Sequence, residues 1–343
     1  MECLCLPNLL NSVERGIETG NMKVFVTGGN GFVGSQVVRQ LLIGGNEVRT
    51  LLRETSDTRR IDGLDHEIHL GDILDIESLE RGMKDCEAVV HLAAVSSWPD
   101  LRSSSLENVI VEGSRNVFTA LQLAGNLRCV NVSSASAINA SSNPIVFDEN
   151  SPFELEGTPL RYAIAKYRAE QIALEYTREG VPIVTVNPVE IYGPDDTDLI
   201  TACNIRDIMK SSPALACNGG FAIAHVEDVA AGIVKALEKG RSGERYILGG
   251  DNLTVEEMVR LTLEIAGMKK PVIKIPNKLL RWTINAIAKV GLPTPVIPEV
   301  LDYATRYIFV DSSKAKRELG YESRSAQKVL APVVDWLRET GHV

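Results

Sequence analysis

The chain has 343 residues, of which 44% are hydrophobic and 24% are charged, and its formal net charge at pH 7 is −9. This length accommodates one large α/β domain with a smaller appended domain. The acidic balance disfavours nucleic acid as a partner, because binding to a phosphate backbone needs clustered basic side chains. No apolar run reaches the ~18 residues needed to cross a bilayer, so we expect no membrane span.

The six cysteines, at positions 3, 5, 86, 129, 203 and 217, lack the spacing of a zinc site or a disulfide framework. They are typical of reduced thiols, so we expect a cytoplasmic protein without a bound metal. Residues 1–21 lack the basic start and the long apolar core of a secretion signal, and they precede the first predicted strand. We interpret them as an N-terminal extension that is disordered and dispensable.

The segment VFVTGGNGFVG, residues 24–34, predicts a strand, a glycine turn and a helix. A short apolar run precedes the turn, and apolar residues recur at helical spacing from Phe32 onward. Gly28 permits a tight turn, Gly31 lets the backbone approach a pyrophosphate, and Gly34 lets the helix pack against the strand. The anion would bind the free N–H groups at the helix N-terminus. An ordinary glycine-rich turn is the alternative, because this spacing differs from GxGxxG.

The end of the second predicted strand, residues 47–52, bears on the choice of cofactor. An acidic side chain here would hold the ribose 2′-hydroxyl of NAD, whereas arginine favours the 2′-phosphate of NADP. Leu52 stands at the acidic position and Arg53 follows it, so NADP is favoured over NAD. The alternative is that Arg53 is a solvated surface charge. After a third strand at residues 68–70, Asp72 could accept from the adenine amine or cap the next helix.

Two further strands lead towards the expected reaction centre. Residues 88–92 run into Ala93 and Ala94, whose small side chains would let a nicotinamide ribose pass close by. Residues 128–132 run into a serine pair that ends at Ser134. Hydroxyls at the carboxyl ends of parallel strands lie where such folds place their chemistry.

A helix predicted at about residues 160–176 carries Tyr162 and Lys166. Residues four apart share one helix face, so the ammonium could lie beneath a bound cofactor while the phenol points at its nicotinamide. A phenol is a poor acid or base near neutrality until a cation favours its ionised form, and Lys166, aided by the charge of the oxidised nicotinamide, could supply that cation. The YxxxK spacing alone is common by chance. Here it follows a glycine turn and a strand-end serine pair in the expected order.

Together these motifs resemble the short-chain dehydrogenase/reductase superfamily, and more narrowly its extended branch of epimerases, dehydratases and reductases. The resemblance runs from Met22 to the C-terminus and rests on TGGNGFVG at 27–34, GDI at 71–73, HLAA at 91–94, NVIVEGSRNV at 108–117, VSSAS at 132–136, YAIAK at 162–166, NPVEIYGP at 187–194 and AHVEDVA at 224–230. Within that branch, EVRTLLRETSDTRR, NPVEIYGP and DSSKAKRELGY most resemble dihydroflavonol-reductase-like and hopanoid-associated epimerase-like proteins.

The resemblance implies an α/β fold, with a Rossmann doubly wound parallel sheet and a smaller α/β substrate domain at the C-terminal side. Residues 22–194 and 225–250 would form the dinucleotide-binding domain. Residues 195–224 and 251–343 would form the substrate-binding domain.

The resemblance also assigns residues to the site. It implies that Ser134, Tyr162 and Lys166 are catalytic, with Asn108 supporting them. The implied cofactor contacts are Thr27, Gly28, Asn30, Gly31, Phe32, Val33, Gly34, Arg53, Asp72, Ile73, Leu92, Ala93, Ala94, Tyr162, Lys166, Pro188 and Ile191. The candidate substrate contacts are Ser96, Trp98, Ser134, Ala135 and Glu190.

Three functions fit these residues, and the fold alone does not choose among them. The first is a reductase or dehydrogenase that acts on a carbonyl or secondary alcohol and exchanges NADPH or NADP at each cycle. The second is a nucleotide-sugar epimerase or dehydratase that retains NAD. The third is a dinucleotide-binding sensor without catalysis. Helices predicted at 106–124 and 161–177 resemble the pair that forms a four-helix dimer interface in this family, so we expect a homodimer.

For the substrate we expect a modest, largely apolar carbonyl or alcohol compound. Family members that bind nucleotide sugars commonly carry an arginine shortly before the stretch matched here by residues 225–228. The segment NGGFAIA, residues 218–224, cannot pair an anion. Trp98, Trp282 and Ile284 would suit an apolar pocket with few polar anchors. Basic residues elsewhere in the chain are the alternative partners for a diphosphate.

Overall fold

The computed structural model describes residues 22–95, 103, 105–289 and 298–343. The extension at residues 1–21 and the substrate candidates Ser96 and Trp98 lie outside the described residues, so those assignments stay predictions. Within the described ranges, no helix is both long enough and apolar enough to cross a membrane.

The elements of these described ranges alternate between strands and helices along most of the chain. The strands are β1 (Lys23–Thr27), β2 (Glu47–Leu52), β3 (Glu67–Leu70), β4 (Ala88–His91), β5 (Arg128–Val132), β6 (Val146–Phe147), β7 (Ile183–Pro188), β8 (Glu190–Tyr192), β9 (Ala214–Ala216), β10 (Gly220–His225), β11 (Arg245–Leu248), β12 (Asn252–Thr254), β13 (Val272–Lys274) and β14 (Tyr307–Val310). The helices are α1 (Phe32–Ile43), α2 (Ile76–Met83), α3 (Gly113–Leu123), α4 (Arg161–Arg178), α5 (Ala202–Lys210), α6 (Val226–Lys239), α7 (Val255–Ile265), α8 (Asn277–Lys289), α9 (Pro298–Ala304), α10 (Ser313–Leu319) and α11 (Ala326–Glu339).

The larger sheet is parallel and has the strand order β11-β7-β5-β4-β1-β2-β3. The order of the chain reverses at β1, which lies between β2 and β4. In sheets of this kind a ligand binds beyond the carboxyl ends of the strands at the point of reversal. The predicted α/β fold with a doubly wound parallel sheet is confirmed.

Helices cover both faces of this sheet, which is why its central strands are apolar on both sides. Successive side chains of β1 point to opposite faces. Val24 and Val26 pack in one core with residues of α1 and α6. Phe25 packs in a second core with Leu79 of α2 and Phe118 of α3. Val24, Phe25 and Val26 are all fully buried.

The smaller sheet has the order β12-β10-β14-β6, with β8 also paired to β10. One residue, Val189, separates β7 in the larger sheet from β8 in the smaller one. The chain therefore crosses between the two sheets here, and Pro188 and Glu190 lie at the seam between them. Helices α5, α7 and α11 pack together beside the smaller sheet.

Several local predictions are confirmed. The predicted bounds of β2 and β5 match the structure. A capping box also begins α7. The Thr254 hydroxyl accepts from Glu257 N at 3.1 Å, and the Glu257 carboxylate accepts from Thr254 N at 2.8 Å.

The helix predicted over residues 106–124 is present, but it is not a regular α-helix in its first turns. A π-helical turn, Asn108–Glu112, precedes α3. The hydroxyl of Ser114 donates to the carbonyl of Ile110 at 2.6 Å. A serine that bonds back to the preceding turn bends a helix, which is consistent with the wider turn at this point.

Candidate active site

The glycine turn after β1 approaches the end of β4 very closely. Gly28 has a φ of +72°, and a Cβ atom there would lie 2.7 Å from the backbone nitrogen of Ala93. A Cβ atom on Gly34 would lie 2.0 Å from the carbonyl oxygen of Gly28. Both positions therefore require glycine. The interpretation of Gly34 is corrected, because it relieves contact with the turn rather than with the strand.

A chain of buried hydrogen bonds holds this glycine turn in place. His91 Nδ1 lies 2.8 Å from Thr27 Oγ1, and His91 Nε2 lies 3.1 Å from Ser114 Oγ. Because Ser114 gives its proton to the Ile110 carbonyl, Nε2 of His91 donates to Ser114 and Nδ1 accepts from Thr27. Burial lowers the pKa of His91 to about 3, so the ring is neutral. Thr27 Oγ1 in turn accepts from Ala93 N at 3.3 Å.

The N-terminus of α1 is suited to bind an anion. Gly31 occupies the N-cap position and no side chain caps the helix there. Asn30, Gly31, Phe32 and Val33 all line one cleft beside this helix end. Uncapped N–H groups at the positive end of a helix bind phosphate groups. The turn thus fits the pyrophosphate of a dinucleotide.

Arg53 is exposed and lines the same cleft at the end of β2. The neighbouring arginines are already engaged: Arg49 Nε with Glu67 at 2.7 Å, Arg59 Nη2 with Asp57 at 2.6 Å, and Arg60 Nη2 with Asp198 at 2.8 Å. Among the described residues, none forms an ion pair with Arg53. Of these arginines, Arg53 is the one in position to meet a ligand phosphate.

Asp72 also lines the cleft. Its Oδ1 accepts a hydrogen bond from Leu74 N at 2.9 Å. The helix that follows, α2, is capped by Asp75, whose side chain accepts from Ser78 N at 3.2 Å. The alternative interpretation that Asp72 caps this helix is therefore wrong. The next residue, Ile73, is buried and also contributes to the lining.

Ser134 and Tyr162 meet through their hydroxyl groups. Ser134 follows β5, and its side chain interacts with the phenol of Tyr162 on α4 and lowers the pKa of that phenol. Ser134 Oγ also accepts from the backbone nitrogen and the hydroxyl of Ser136, at 3.2 and 3.0 Å. Because these two bonds fill its acceptor sites, the proton of Ser134 is free to be donated towards Tyr162 or a bound oxygen.

Lys166 lies one turn beyond Tyr162 on the same helix. Its Nζ is 6.0 Å from the centroid of the Tyr162 ring and donates to the Val132 carbonyl at 2.9 Å. Burial lowers the pKa of Lys166 to about 8, and the negative charge of Glu170 opposes this shift. Burial raises the pKa of Tyr162 to about 12, opposed by the bond from Ser134. Burial thus opposes the lowering of the phenol pKa that is expected from Lys166 together with the oxidised nicotinamide.

One cleft of about 980 Å³ brings most of the sequence-predicted residues together. Its lining includes Gly28, Asn30, Gly31, Phe32, Val33, Gly34, Arg53, Asp72, Ile73, Leu92, Ala93, Ala94, Ser134, Ala135, Tyr162, Lys166, Pro188, Glu190 and Ile191. Thr27 is buried behind the lining. Asn108 is exposed outside it, so the structure does not bring this side chain to the predicted catalytic triad of Ser134, Tyr162 and Lys166; the next residue, Val109, lines the cleft instead.

Glu190 places a carboxyl group in the lining at the seam between the two sheets. Its Oε2 accepts from the Tyr192 hydroxyl at 3.0 Å, and its Oε1 accepts from Asn204 Nδ2 at 3.4 Å. Burial raises the pKa of Glu190 to about 7. This carboxyl group therefore changes charge close to neutral pH.

Part of the cleft wall was not predicted from the sequence. Ser136, Tyr303 and Ile308 line it, and so does Phe221 of the segment singled out for its lack of charge. Tyr303 and Ile308 belong to α9 and β14, far along the chain from the triad. No local motif marks them, so only the tertiary structure reveals their position.

The fold and the cleft together define an enzyme of the extended short-chain dehydrogenase/reductase type, built to bind a nicotinamide dinucleotide. The model of the NAD dependent epimerase/dehydratase family matches residues 24–249. The chain belongs to that family.

Individual relatives and solved structures are similar over nearly the whole length. A Synechocystis sp. protein provisionally named dihydroflavonol 4-reductase is 33% identical over 330 residues, which cover 93% of this chain and 95% of that protein. A Stigmatella aurantiaca protein named 4-hydroxy-2-methyl-3-oxo-4-farnesyl-3,4-dihydroquinoline-1-oxide ketoreductase is 30% identical. The match covers 93% of this chain and 97% of that protein. Among solved structures, the dTDP-glucose 4,6-dehydratase DesIV of Streptomyces venezuelae, with NAD and TYD bound, is 26% identical and has a TM-score of 0.75. The match covers 93% of this chain and 97% of that structure's chain.

Proposed function

We propose that this protein is a reductase that transfers hydride from NADPH to the carbonyl carbon of a small, largely apolar substrate. The observation that carries the proposal is the character of the cleft around Tyr162. Apolar groups of Val95, Val109, Phe221 and Ile308 line it. An apolar wall with few polar groups is typical of sites for small apolar ligands.

The charges along the cleft support a neutral substrate. Arg53 and Lys166 are the basic residues in the described lining, at the end of β2 and within the triad respectively. The additional carboxyl group of Glu190 would repel a diphosphate. A nucleotide sugar needs a cationic partner for its diphosphate, and the described lining offers none beyond these two residues. We therefore favour the reductase over the nucleotide-sugar epimerase or dehydratase.

The protonation states of the triad support reduction. Tyr162 keeps its proton at neutral pH, so it can give that proton to the carbonyl oxygen as the C=O π bond breaks. Ser134 donates a hydrogen bond to the same oxygen and stabilises the charge that develops on it. When bound, the reduced nicotinamide supplies the hydride. The phenolate left on Tyr162 regains a proton from Lys166 or solvent.

Arg53 supports NADP over NAD. Its guanidinium group lines the cleft without an ion-pair partner among the described residues, and Leu52 before it is buried and carries no carboxylate. A planar guanidinium group suits a phosphate better than a ribose hydroxyl. The remaining implied cofactor contacts line the same cleft, apart from Thr27, which is buried.

We also propose a homodimer formed through α3 and α4. These helices pack side by side, and the hydroxyls of Thr119 and Tyr176 lie 2.7 Å apart between them. A symmetric pairing of two such helix pairs closes on itself. Light scattering should give twice the chain mass, whereas a monomer at high concentration would contradict the proposal.

The reductase is tested with a panel of apolar aldehydes, ketones and nucleotide sugars incubated with NADPH. Loss of the absorbance of the reduced nicotinamide is followed for the wild-type enzyme and for Tyr162→Phe. We expect the wild-type enzyme to consume NADPH with the carbonyl compounds, and the Tyr162→Phe variant to consume none. Interconversion of a nucleotide sugar without net consumption of NADPH would favour the epimerase. Binding of NADPH without any turnover would favour the sensor.

A further inference from the structure

A chain of buried polar groups lies directly behind the triad. Asn187 of β7 donates through Nδ2 to the carbonyl of Ser134 at 3.0 Å and to Oε1 of Glu170 at 2.5 Å. The second carboxylate oxygen of Glu170 lies 3.3 Å from Nη1 of Arg245. The side chain of Glu170 is 3% exposed, and Asn187 is fully buried.

Glu170 also stands one helical turn beyond Lys166 on α4, so the two side chains share a face of the helix. The titratable and charged groups around Lys166 are Tyr162 and Glu170 on α4, His91 on β4, and Arg245 on β11 behind Glu170. Tyr162 keeps its proton and His91 is neutral. Glu170 is the group whose negative charge favours the protonated form of Lys166.

The need for such a charge follows from burial. Lys166 is 7% exposed, and its Nζ bonds to the carbonyl of Val132. A buried ammonium group without an anion nearby tends to lose its proton. Burial raises the pKa of Glu170 as well, and the charge of Arg245 and the bond from Asn187 oppose part of this shift.

We propose that Glu170 is a positioning residue of the catalytic site, which keeps Lys166 cationic and fixes the carbonyl of Ser134 through Asn187. The effect on turnover rests on the proposed reductase function, whereas the effect on Lys166 does not. A purely structural role is the competing explanation, because a buried ion pair such as Glu170–Arg245 destabilises the fold when one partner is removed.

The test compares Glu170→Gln with Glu149→Gln. The glutamine keeps a carbonyl that can accept from Asn187 and removes the charge. Glu149 is the matched control, because it is also a buried carboxyl group, 8% exposed, but it bonds to Ile247 N at 2.9 Å instead of serving the triad. Acetic anhydride labels neutral amines, so the labelling of Lys166 as a function of pH, read by peptide mass spectrometry on the full-length protein, reports the pKa of this lysine.

We expect Glu170→Gln to lower the pH at which Lys166 becomes reactive by about one unit, and Glu149→Gln to leave it in place. The alkaline limb of kcat should move to lower pH by the same amount, with activity recovered below that limb. Glu170→Asp withdraws the carboxylate by one methylene group. It should move the labelling of Lys166 and the alkaline limb of kcat to lower pH as well, but by a smaller amount. This milder variant keeps the test valid if the glutamine variant does not fold.

Loss of activity at every pH with an unmoved titration of Lys166 would overturn the proposal, because a structural role predicts that result. An equal shift in Glu149→Gln would also overturn it. The labelling of Lys166 could shift as expected while neither the wild-type enzyme nor the variants reduce a carbonyl. That result would support the effect of Glu170 on Lys166 and would contradict the proposed reductase function.

Discussion

The hydroxyl of Tyr303 accepts a hydrogen bond from the backbone N–H of Ala163 at 3.2 Å, across 140 residues of sequence. Helix α4 begins with no side-chain cap at Leu160. Tyr303 therefore satisfies one of the free N–H groups at the start of the helix that carries Tyr162, and its ring lines the cleft. The C-terminal segment and the triad are joined at this point.

Replacing Tyr303 with Phe should reduce kcat and lower the free energy of unfolding by about 1 kcal/mol, because the ring stays and the cap is lost. Chemical denaturation and steady-state kinetics measure the two effects. Tyr307→Phe is the control: the ring of Tyr307 packs edge-on against Phe309, outside the cleft lining. A Tyr303→Phe enzyme with unchanged kcat would show that the cap does not hold Tyr162.

Tyr162→Phe should abolish turnover and leave the affinity for NADPH nearly unchanged, because it removes a proton donor from the reacting oxygen. Lys166→Ala should lower both the turnover and the affinity for NADPH, since we expect the ammonium group to contact the ribose. Cofactor binding is measured by fluorescence titration and turnover by absorbance. Substantial activity in the Phe variant would mean that another group donates the proton.

Arg53→Asp should shift the preference from NADP towards NAD, because it removes a partner for the 2′-phosphate and supplies an acceptor for the 2′-hydroxyl. Arg53→Ala should weaken NADPH binding alone. Arg59→Ala is the matched control, because Arg59 is 78% exposed at its side chain and already paired with Asp57. Equal dissociation constants for NADPH in the Arg53 and Arg59 variants would mean that Arg53 faces solvent.

The carboxyl group of Glu190 should make substrate binding depend on pH. Its pKa is raised to about 7, so below that pH the group is neutral and above it this residue of the cleft lining carries a charge. We expect KM for an apolar carbonyl substrate to rise as the pH passes from 6 to 8 through about 7. Glu190→Gln should hold KM at its low-pH value throughout. A profile that is the same in wild type and variant would assign the pH dependence to another group.

The sequence predicted the fold and much of the cleft because local motifs encode them. The glycine turn, Arg53 at the end of β2 and the helix with Tyr162 and Lys166 are each contiguous or at fixed spacing. Such features report which residues follow a strand or share a helix face. They therefore predict residues that converge at the carboxyl edge of one sheet.

The remaining features depend on contacts between distant segments. The ion pair between Arg60 and Asp198, the cap from Tyr303 and the bond between Asn187 and Glu170 all require knowledge of which surfaces meet. The burial of Tyr162, which raises the pKa of its phenol, is also a tertiary feature. The neighbouring cation is visible in the sequence, whereas the burial that outweighs it is not.

The central claim is that the enzyme reduces a carbonyl compound and releases oxidised cofactor at every cycle. The most direct test uses NADPH deuterated at the transferable position of its nicotinamide, with an apolar carbonyl substrate in large excess over enzyme. Mass spectrometry of the product and absorbance of the cofactor give the ratio of label transferred to NADPH consumed. We predict one deuterium on the carbinol carbon of each product molecule for each NADPH oxidised, sustained over many turnovers. A nucleotide sugar converted without net oxidation of NADPH, and with carbonyl compounds left unreduced, would contradict the account.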